Sequence, residues 1–396
     1  MGIDGVMGMP GYSGYVPNSM LAGSLVLSRD LLLAGNAQAS QVKVNWPQHW
    51  MQGSKCEFPA PGATEALKRL QPNLRMLLVE QSLFDGIKFD YPTTGADQPA
   101  SLSSGSDPLL AIHRPTVEVI QHQCAKVLSY ADLRGERVNE VLAQVVPQVA
   151  NWSATLGLHP ERHKYTLELL GVGLSFATKI VMRFKHALGV PRPGEVSPLV
   201  HPMILTPGHR AFPSGHATEA YFAAEFLSAL FCAAGWKVSP GCDAGEFPFD
   251  PNASSSSAEM GLMRPQLHRI AYRVAENRVV AGVHYPVDSL AGQALGIVLA
   301  QHLVGLACPG FKSELFGKVF AANAKDAEPR LDCPWPEGIQ AKQQSQQGSG
   351  ATATPRTTQT PPPPRAFAEL NATAAQCGPN NFFGQLWGLA KTECQN

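Results

Sequence analysis

Three short stretches between residues 185 and 288 place cations, histidines and a carboxylate at spacings that suit an anion-binding site. The first stretch is K-x6-R-P and supplies Lys185 and Arg192, while the third supplies Arg278. Arginine offers phosphate-like oxygens a rigid fork of donors, whereas lysine acts as a compact point charge. Together these three cations can cover several oxygens of one tetrahedral anion.

The second stretch, Pro213 to His216 (PSGH), runs into an apolar segment that is typical of a helix. Ser214 is therefore predicted near the helix N-cap. Free N–H groups and the positive end of the helix dipole favour an anion at that place. Gly215 lets the anion approach the backbone closely.

The third stretch also places His284 four residues before Asp288. On a helix this spacing puts both side chains on one face, so the carboxylate can hold the imidazole in one tautomer and leave its other nitrogen free to attack or ligate. A single histidine on a helix is more often a core or surface residue than a ligand. The prediction therefore depends on the complete ordered set of motif residues.

The full pattern, K-x6-R-P, then PSGH, then R-x5-H-x3-D, resembles the signature of the type 2 phosphatidic acid phosphatase and vanadium haloperoxidase superfamily. It spans residues 185–288, about a quarter of the chain. The resemblance implies an all-α fold, a helical bundle whose core holds phosphate or vanadate. It assigns oxyanion binding to five residues: Lys185, Arg192, Ser214, Gly215 and Arg278.

The same resemblance makes His216 the acid-base histidine and His284 the residue that bonds the central phosphorus or vanadium, with Asp288 as its partner. One position departs from the family pattern. The family often has Ser before the third-motif arginine, and this chain has Asn277. The change keeps a polar side chain and leaves in doubt only an indirect contact to the anion.

Phosphate and vanadate share charge and shape, so the site is compatible with two reactions. In a phosphatase, His284 would attack the phosphoryl group of a phosphoester and His216 would protonate the leaving alcohol. In a haloperoxidase, His284 would ligate vanadate as the cofactor, and hydrogen peroxide and halide would be the substrates. Lys185 would then polarise the peroxide.

The sequence favours the haloperoxidase, with the phosphatase as the alternative. Several bromide-oxidising relatives share a histidine at the position of His209, seven residues before His216, which makes it a candidate tuning residue. Tyr285 and Pro286 are more typical of phosphatases. The long N-terminal segment and an insertion at Lys237–Pro265 resemble haloperoxidases. A non-catalytic oxyanion-binding or scaffold protein is the third hypothesis.

The amino-acid composition limits the classes of partner and ligand that the protein is expected to bind. Basic and acidic residues both number 31, so the net charge is zero, which argues against a nucleic-acid partner. The eight cysteines include no C-x2-C pair, so no zinc site is predicted. A small-molecule substrate is expected, and an oligomer is possible. No secretory signal is evident at the N-terminus, and the compartment stays open.

The most apolar windows of the chain carry charged or polar residues. They predict buried helices of a soluble bundle rather than bilayer spans, which need about 20 predominantly apolar residues. No transmembrane span is therefore expected. The windows are Leu167–Phe184, Ala217–Trp236 and Leu290–Cys308.

Composition shifts predict four parts: an irregular N-terminal segment packing on the bundle (1–115), the helical domain (116–337), a disordered linker (338–365) and a C-terminal tail (366–396) that docks on the domain or on a partner. Apolar residues at three- and four-residue steps predict the helices of the domain. These cover Val117–Tyr130, Arg137–Thr155, Pro160–Leu188, His216–Trp236, Leu267–Val280 and Pro286–Leu306.

Overall fold

The computed structural model describes residues 51–52, 55–56, 64–91, 98–145, 149–235, 263–308 and 381–395, together with 311, 313, 315–322, 325–328 and 339–340. The insertion predicted at Lys237–Pro265 lies almost entirely outside the described residues, as do residues 1–50 and most of the predicted linker. The chain divides after Leu77 into two units. All residues of the predicted site belong to the second unit.

The described chain is mainly helical, which confirms the predicted all-α class. Local residue types explain where two of the helices begin or end. Gly189 adopts the left-handed conformation and ends the helix Lys164–Leu188. Pro286 occupies the first position of the helix Pro286–Ala307. The helices are α1 Thr64–Arg69, α2 Pro72–Leu83, α3 Val117–Ser129, α4 Arg134–Ala143, α5 Val149–Leu156, α6 Lys164–Leu188, α7 Pro193–Val196, α8 Gly215–Ala233, α9 Met263–Val280, α10 Pro286–Ala307 and α11 Phe382–Gln395.

One predicted helix is divided. The interval Arg137–Thr155 was expected to be continuous, but α4 ends at Ala143 and α5 begins at Val149. Pro147 falls between them in the sequence, and proline has no N–H to donate to a helical carbonyl. The end of α4 has a functional consequence, because Gln144 follows it directly and contacts the site.

The segment predicted to be irregular contains regular structure between residues 51 and 112. Besides α1 and α2, it forms β1 Met51–Gln52, β2 Lys55–Cys56, β3 Ile87–Asp90, β4 Ala100–Ser104 and β5 Asp107–Ile112. Strands β3 to β5 form an antiparallel meander, β5 pairs in parallel with β6 Lys318–Phe320, and β6 pairs antiparallel with β7 Ile339–Gln340. β7 occupies the start of the predicted linker.

Helices α8 and α10 pack backbone to backbone because two glycines of α10 face α8. A Cβ atom on Gly292 would lie 2.7 Å from the carbonyl oxygen of Ser214, and one on Gly296 would collide with that of Thr218. The Ser214 N–H donates to the Asp288 carbonyl at 2.9 Å. This close contact brings the N-terminus of α8 beside the N-terminus of α10, where the predicted site lies.

The C-terminal tail docks on the helical domain through α11. Its Trp387 ring packs edge-on against Phe226 of α8, with ring centroids 5.4 Å apart. Its Glu393 carboxylate accepts hydrogen bonds from the first-turn N–H groups of Tyr165 and Thr166 of α6, at 3.1 and 2.9 Å. This contact satisfies donors that a helix start leaves free.

Among the described helices, α10 is the one whose length and apolar composition would suffice to cross a bilayer. Its most apolar window is 89% buried inside the protein. The helix therefore contributes its apolar surface to the core of the bundle.

Candidate functional site

The structure brings the predicted site residues together around one cavity of about 130 Å³, which we call the oxyanion pocket. The cavity lies between the end of α6, the start of α8, the end of α9 and the residues just before α10. Ser214 and Asp288 do not line it: Asp288 holds the lining residue His284 in place, and Ser214 caps the helix that begins at Gly215. The predicted residues that line it are Lys185, Arg192, His209, Gly215, His216, Arg278 and His284.

Lys185 lies near the end of α6 and is buried. Its ammonium group donates to the carbonyls of Arg210 and Ala211 at 3.0 and 2.8 Å, which leaves one of its three N–H donors for an anion. Burial and the nearby Arg192 lower the pKa of Lys185 to about 7. The cation is therefore held in position and titrates near neutral pH.

Arg192 contacts both His209 and His284 in the pocket. Its Nη1 atom donates to the Val283 carbonyl at 2.7 Å and to His284 Nε2 at 2.9 Å. Its Nε and Nη2 atoms contact the carbonyl oxygen and Nδ1 of His209, both at 3.0 Å. One guanidinium thus fixes the two histidine rings relative to each other.

The contacts of His284 define its tautomer. Arg192 can only donate, so His284 Nε2 must accept, and the ring proton then lies on Nδ1, which donates to Asp288 Oδ2 at 2.8 Å. The Tyr285 N–H donates to the same carboxylate oxygen at 3.0 Å. Burial, followed by the charges of Arg192 and Lys185, holds the pKa of His284 well below its ordinary value. Its Nε2 atom therefore keeps a lone pair at neutral pH.

The start of α8 supplies backbone donors, as the sequence predicted. Ser214 is the N-cap, and its hydroxyl accepts from the Ala217 N–H at 3.4 Å. A Cβ atom on Gly215 would lie 3.8 Å from the Lys185 side chain, so glycine keeps the space between this helix start and the ammonium open. An anion there can reach N–H groups that have no partner within the helix.

His216 is anchored by a residue that the sequence analysis missed. Its Nε2 atom lies 3.0 Å from the carbonyl oxygen of Gln144, so Nε2 donates and Nδ1 is the nitrogen free to exchange a proton. Burial and the charge of Arg278 lower the pKa of His216 to about 3. No motif marked Gln144, because it approaches the site from a loop 72 residues away in sequence.

Arg278 is the least satisfied cation of the pocket. Its Nη2 atom donates to the Val141 carbonyl at 2.9 Å and to Gln144 Oε1 at 3.2 Å. Its Nε and Nη1 atoms are buried and have no hydrogen-bond partner among the described residues. Burial lowers the pKa of Arg278 to about 10, so the group stays charged at neutral pH. Buried donors of a charged group without partners indicate a place for an external anion.

Asn277, the position that departs from the family pattern, supports Arg278 indirectly. Its amide donates to Gln144 Oε1 at 3.1 Å and to Glu140 Oε2 at 2.9 Å. Glu140 also pairs with Arg273, and the hydrogen bond from Arg273 is the main cause that lowers the pKa of Glu140 to about 2. Asn277 therefore positions Gln144, which in turn holds Arg278 and His216.

A larger outer cavity of about 420 Å³ adjoins the oxyanion pocket. The two cavities share five lining residues, namely Met182, Lys185, Arg192, Pro207 and His209. The outer cavity adds charged and polar groups from His186, Glu195 and Arg210. A molecule bound through an oxyanion thus has room for an organic part beside it.

Vanadate and phosphate both fit these groups. No cluster of three or more histidine, cysteine or acidic side chains that could hold a metal ion occurs among the described residues. An oxyanion needs a different environment, namely cations, backbone donors and one nitrogen lone pair. Arg278, the helix start at Gly215 and His284 supply these.

Comparison with known proteins agrees with this geometry. The family model of the PAP2 superfamily matches residues 166–307, an interval that contains all of the motif residues. No curated protein matches the chain. Residues 166–307 therefore form a domain of the PAP2 superfamily, the type 2 phosphatidic acid phosphatase superfamily that the motifs indicated.

Proposed function

We propose that the domain is a phosphomonoester hydrolase that acts through a phosphohistidine on His284. The observation that carries the proposal is the pairing of two cavities. The oxyanion pocket presents the lone pair of His284 Nε2 among three cations, and the outer cavity next to it has room for the alcohol part of an ester. Peroxide and halide, the substrates of a haloperoxidase, would not need such a space.

The reaction follows from the contacts. When the phosphoester binds, the Arg192 Nη1 donor moves from His284 Nε2 to a phosphoryl oxygen and frees the lone pair. His284 Nε2 then attacks phosphorus, the bond from phosphorus to the ester oxygen breaks, and His216 Nδ1 gives its proton to the leaving alkoxide. Water then attacks the phosphohistidine, His216 takes a proton from it, and the bond between nitrogen and phosphorus breaks. Lys185, Arg192 and Arg278 stabilise the oxygens of the phosphoryl group throughout.

The acid role of His216 requires a bound substrate. In the empty pocket the charge of Arg278 disfavours the imidazolium, and the pKa of His216 is about 3. A phosphoester dianion neutralises that charge and favours protonation of the ring. The protonated acid therefore forms together with the substrate complex.

A vanadate-dependent haloperoxidase is the second candidate, and the placement of His209 favours it. His209 lines the oxyanion pocket and contacts Arg192, as a tuning residue for vanadate chemistry would. His284, Lys185 and Arg192 would hold the vanadate, which supplies a Lewis acid that activates hydrogen peroxide for halide oxidation. The residues of the pocket fit either anion.

A paired assay tests the two candidates. Purified protein is given a chromogenic phosphoester, and separately a phenol-type dye with bromide and peroxide, each with and without orthovanadate. We expect phosphoester hydrolysis that vanadate inhibits, and a loss of at least about 1,000-fold in kcat for His284→Ala because the nucleophile is removed. Vanadate-dependent halogenation without hydrolysis would replace the phosphatase with the haloperoxidase. Inactivity in both assays would favour a binding protein.

A further inference from the structure

The oxyanion pocket contains a carboxylate that the proposed reaction does not use. Glu219 lies on α8, four residues after Gly215 and three after His216, so it shares their face of the helix. Its side chain lines the same cavity of about 130 Å³ as Lys185 and His284. An acidic group beside an anion site opposes the binding of a bare anion, and its presence there needs a reason.

The hydrogen bonding of Glu219 is incomplete. The Thr178 hydroxyl lies 2.8 Å from Glu219 Oε1, but it lies equally close to the Leu174 carbonyl, and a hydroxyl has one proton for both. Within the described residues, no hydrogen bond reaches Glu219 Oε2. The carboxylate therefore retains acceptor capacity inside the cavity.

The surroundings of Glu219 also influence whether its carboxyl group is ionised. Burial raises the pKa of Glu219, while the Thr178 hydroxyl and the Lys185 charge act in the opposite direction. A donor that enters the cavity with the substrate would add a partner for the ionised form. Such a donor would convert an unfavourable neighbour of the anion into a contact that binds the substrate.

We propose that Glu219 is a specificity-determining residue that accepts a hydrogen bond from the substrate. The preferred substrates would then be phosphomonoesters of small alcohols that carry an ammonium or a hydroxyl group next to the ester. This inference rests on the proposed phosphatase. It assigns the phosphoryl group to the three cations and the donor beside the ester oxygen to Glu219, which line the same small cavity, so only the rest of the alcohol extends toward the outer cavity.

Three esters of equal length test the proposal: propyl phosphate, 2-hydroxyethyl phosphate and 2-aminoethyl phosphate. We expect the wild-type kcat/KM for the aminoethyl ester to exceed that for the propyl ester by about tenfold or more, the size of one charge-assisted hydrogen bond. Glu219→Gln should reduce the preference for the ammonium to the size of that for the hydroxyl, because the amide oxygen accepts from both groups but carries no charge. Glu219→Leu should lose both preferences.

Binding measurements separate this inference from the proposed function. Calorimetric Kd values for the same three esters report the preference even if none of them is hydrolysed, a result that would remove the phosphatase proposal alone. Inorganic phosphate checks the fold of the variants, and Glu219→Leu should bind it more tightly than wild type because a negative charge is gone. Equal binding of all three esters by the wild type, or an unchanged preference in Glu219→Leu, would overturn the role of Glu219.

Discussion

Helix α8 carries charged clusters at two places, and the clusters differ in how their charges are satisfied. At Glu225, in the middle of the helix, the carboxylate is fully buried and accepts from Arg264 at 2.8 and 3.1 Å, from His268 at 3.1 Å and from Gln301 at 2.9 Å. His268 Nδ1 is the one atom of this cluster found without a partner among the described residues.

At the N-terminus of the same helix, the oxyanion pocket leaves more hydrogen-bonding capacity unused. Arg278 Nε and Nη1, Asp288 Oδ1 and the Tyr285 hydroxyl are buried and have no partner in the described part of the chain. The three cations of the pocket point mainly at carbonyl oxygens rather than at carboxylates. The comparison separates two arrangements of buried charge: one cluster is paired internally, and the other keeps Arg278 donors that the proposed function assigns to an anion from outside.

The largest expected effect is a loss of stability when the paired cluster, namely Glu225 with its partners Arg264 and His268, is disrupted. Replacing Glu225 by Leu leaves the mostly buried guanidinium of Arg264 without its carboxylate, and we expect the free energy of unfolding to fall by about 3 kcal/mol. Chemical denaturation measures it. The double variant Glu225→Leu, Arg264→Met is the control and should recover part of the loss, since no unpaired charge remains.

The same cluster predicts a pH dependence. Burial opposes ionisation of Glu225, but Arg264 and His268 outweigh it and hold the pKa of Glu225 well below its ordinary value. The cluster therefore stabilises the fold above the unfolded-state pKa of a glutamate, and the contribution is lost as the pH falls below that value. If Glu225→Leu is as stable as wild type at pH 7, the cluster has no supporting role.

The second effect is a loss of activity when a cation of the oxyanion pocket is removed. Arg278→Met should lower kcat/KM for a phosphoester by about 100-fold, because a preorganised donor to the phosphoryl oxygens is lost. Its stability should stay within about 1 kcal/mol of wild type, since the removed charge had few partners. Activity and denaturation are measured on the same preparation. A loss of stability as large as that of Glu225→Leu would contradict the distinction between the clusters.

The smallest effect is a pH dependence of anion affinity. The Lys185 cation is present below its pKa of about 7 and is lost as the pH rises through that value. We therefore expect the affinity for sulfate, which does not titrate in this range, to fall about tenfold between pH 6 and pH 8 as one cation is neutralised. Calorimetry at several pH values measures the change.

Two variants of Lys185 sharpen this experiment. Lys185→Arg keeps a charge that does not titrate, so its affinity should fall less across the range than that of the wild type. Lys185→Met should bind sulfate weakly at every pH, and any remaining decline reports ionisation of Asp288 or Glu219, whose pKa values burial raises. A level wild-type profile would show that Lys185 does not titrate near neutrality.

The sequence alone determined the candidate site residues and the helices that carry them. The spacing of His284 and Asp288, the PSGH turn at the start of α8 and the limits of α6, α8 and α10 all follow from interactions between residues close in the chain. Such local patterns are visible in a sequence because helical periodicity and capping act over a few residues. The all-α class followed from the same patterns.

The tertiary structure decided which other residues complete the site. Gln144 holds Arg278 and His216 from the end of α4, and Glu219 enters the pocket because α6 and α8 enclose it together. The parallel pairing of β5 with β6 likewise joins strands separated by about half the chain. These contacts depend on the packing of segments distant in the sequence, and local spacing alone does not reveal them. For Glu219 it indicates only the helix face shared with His216.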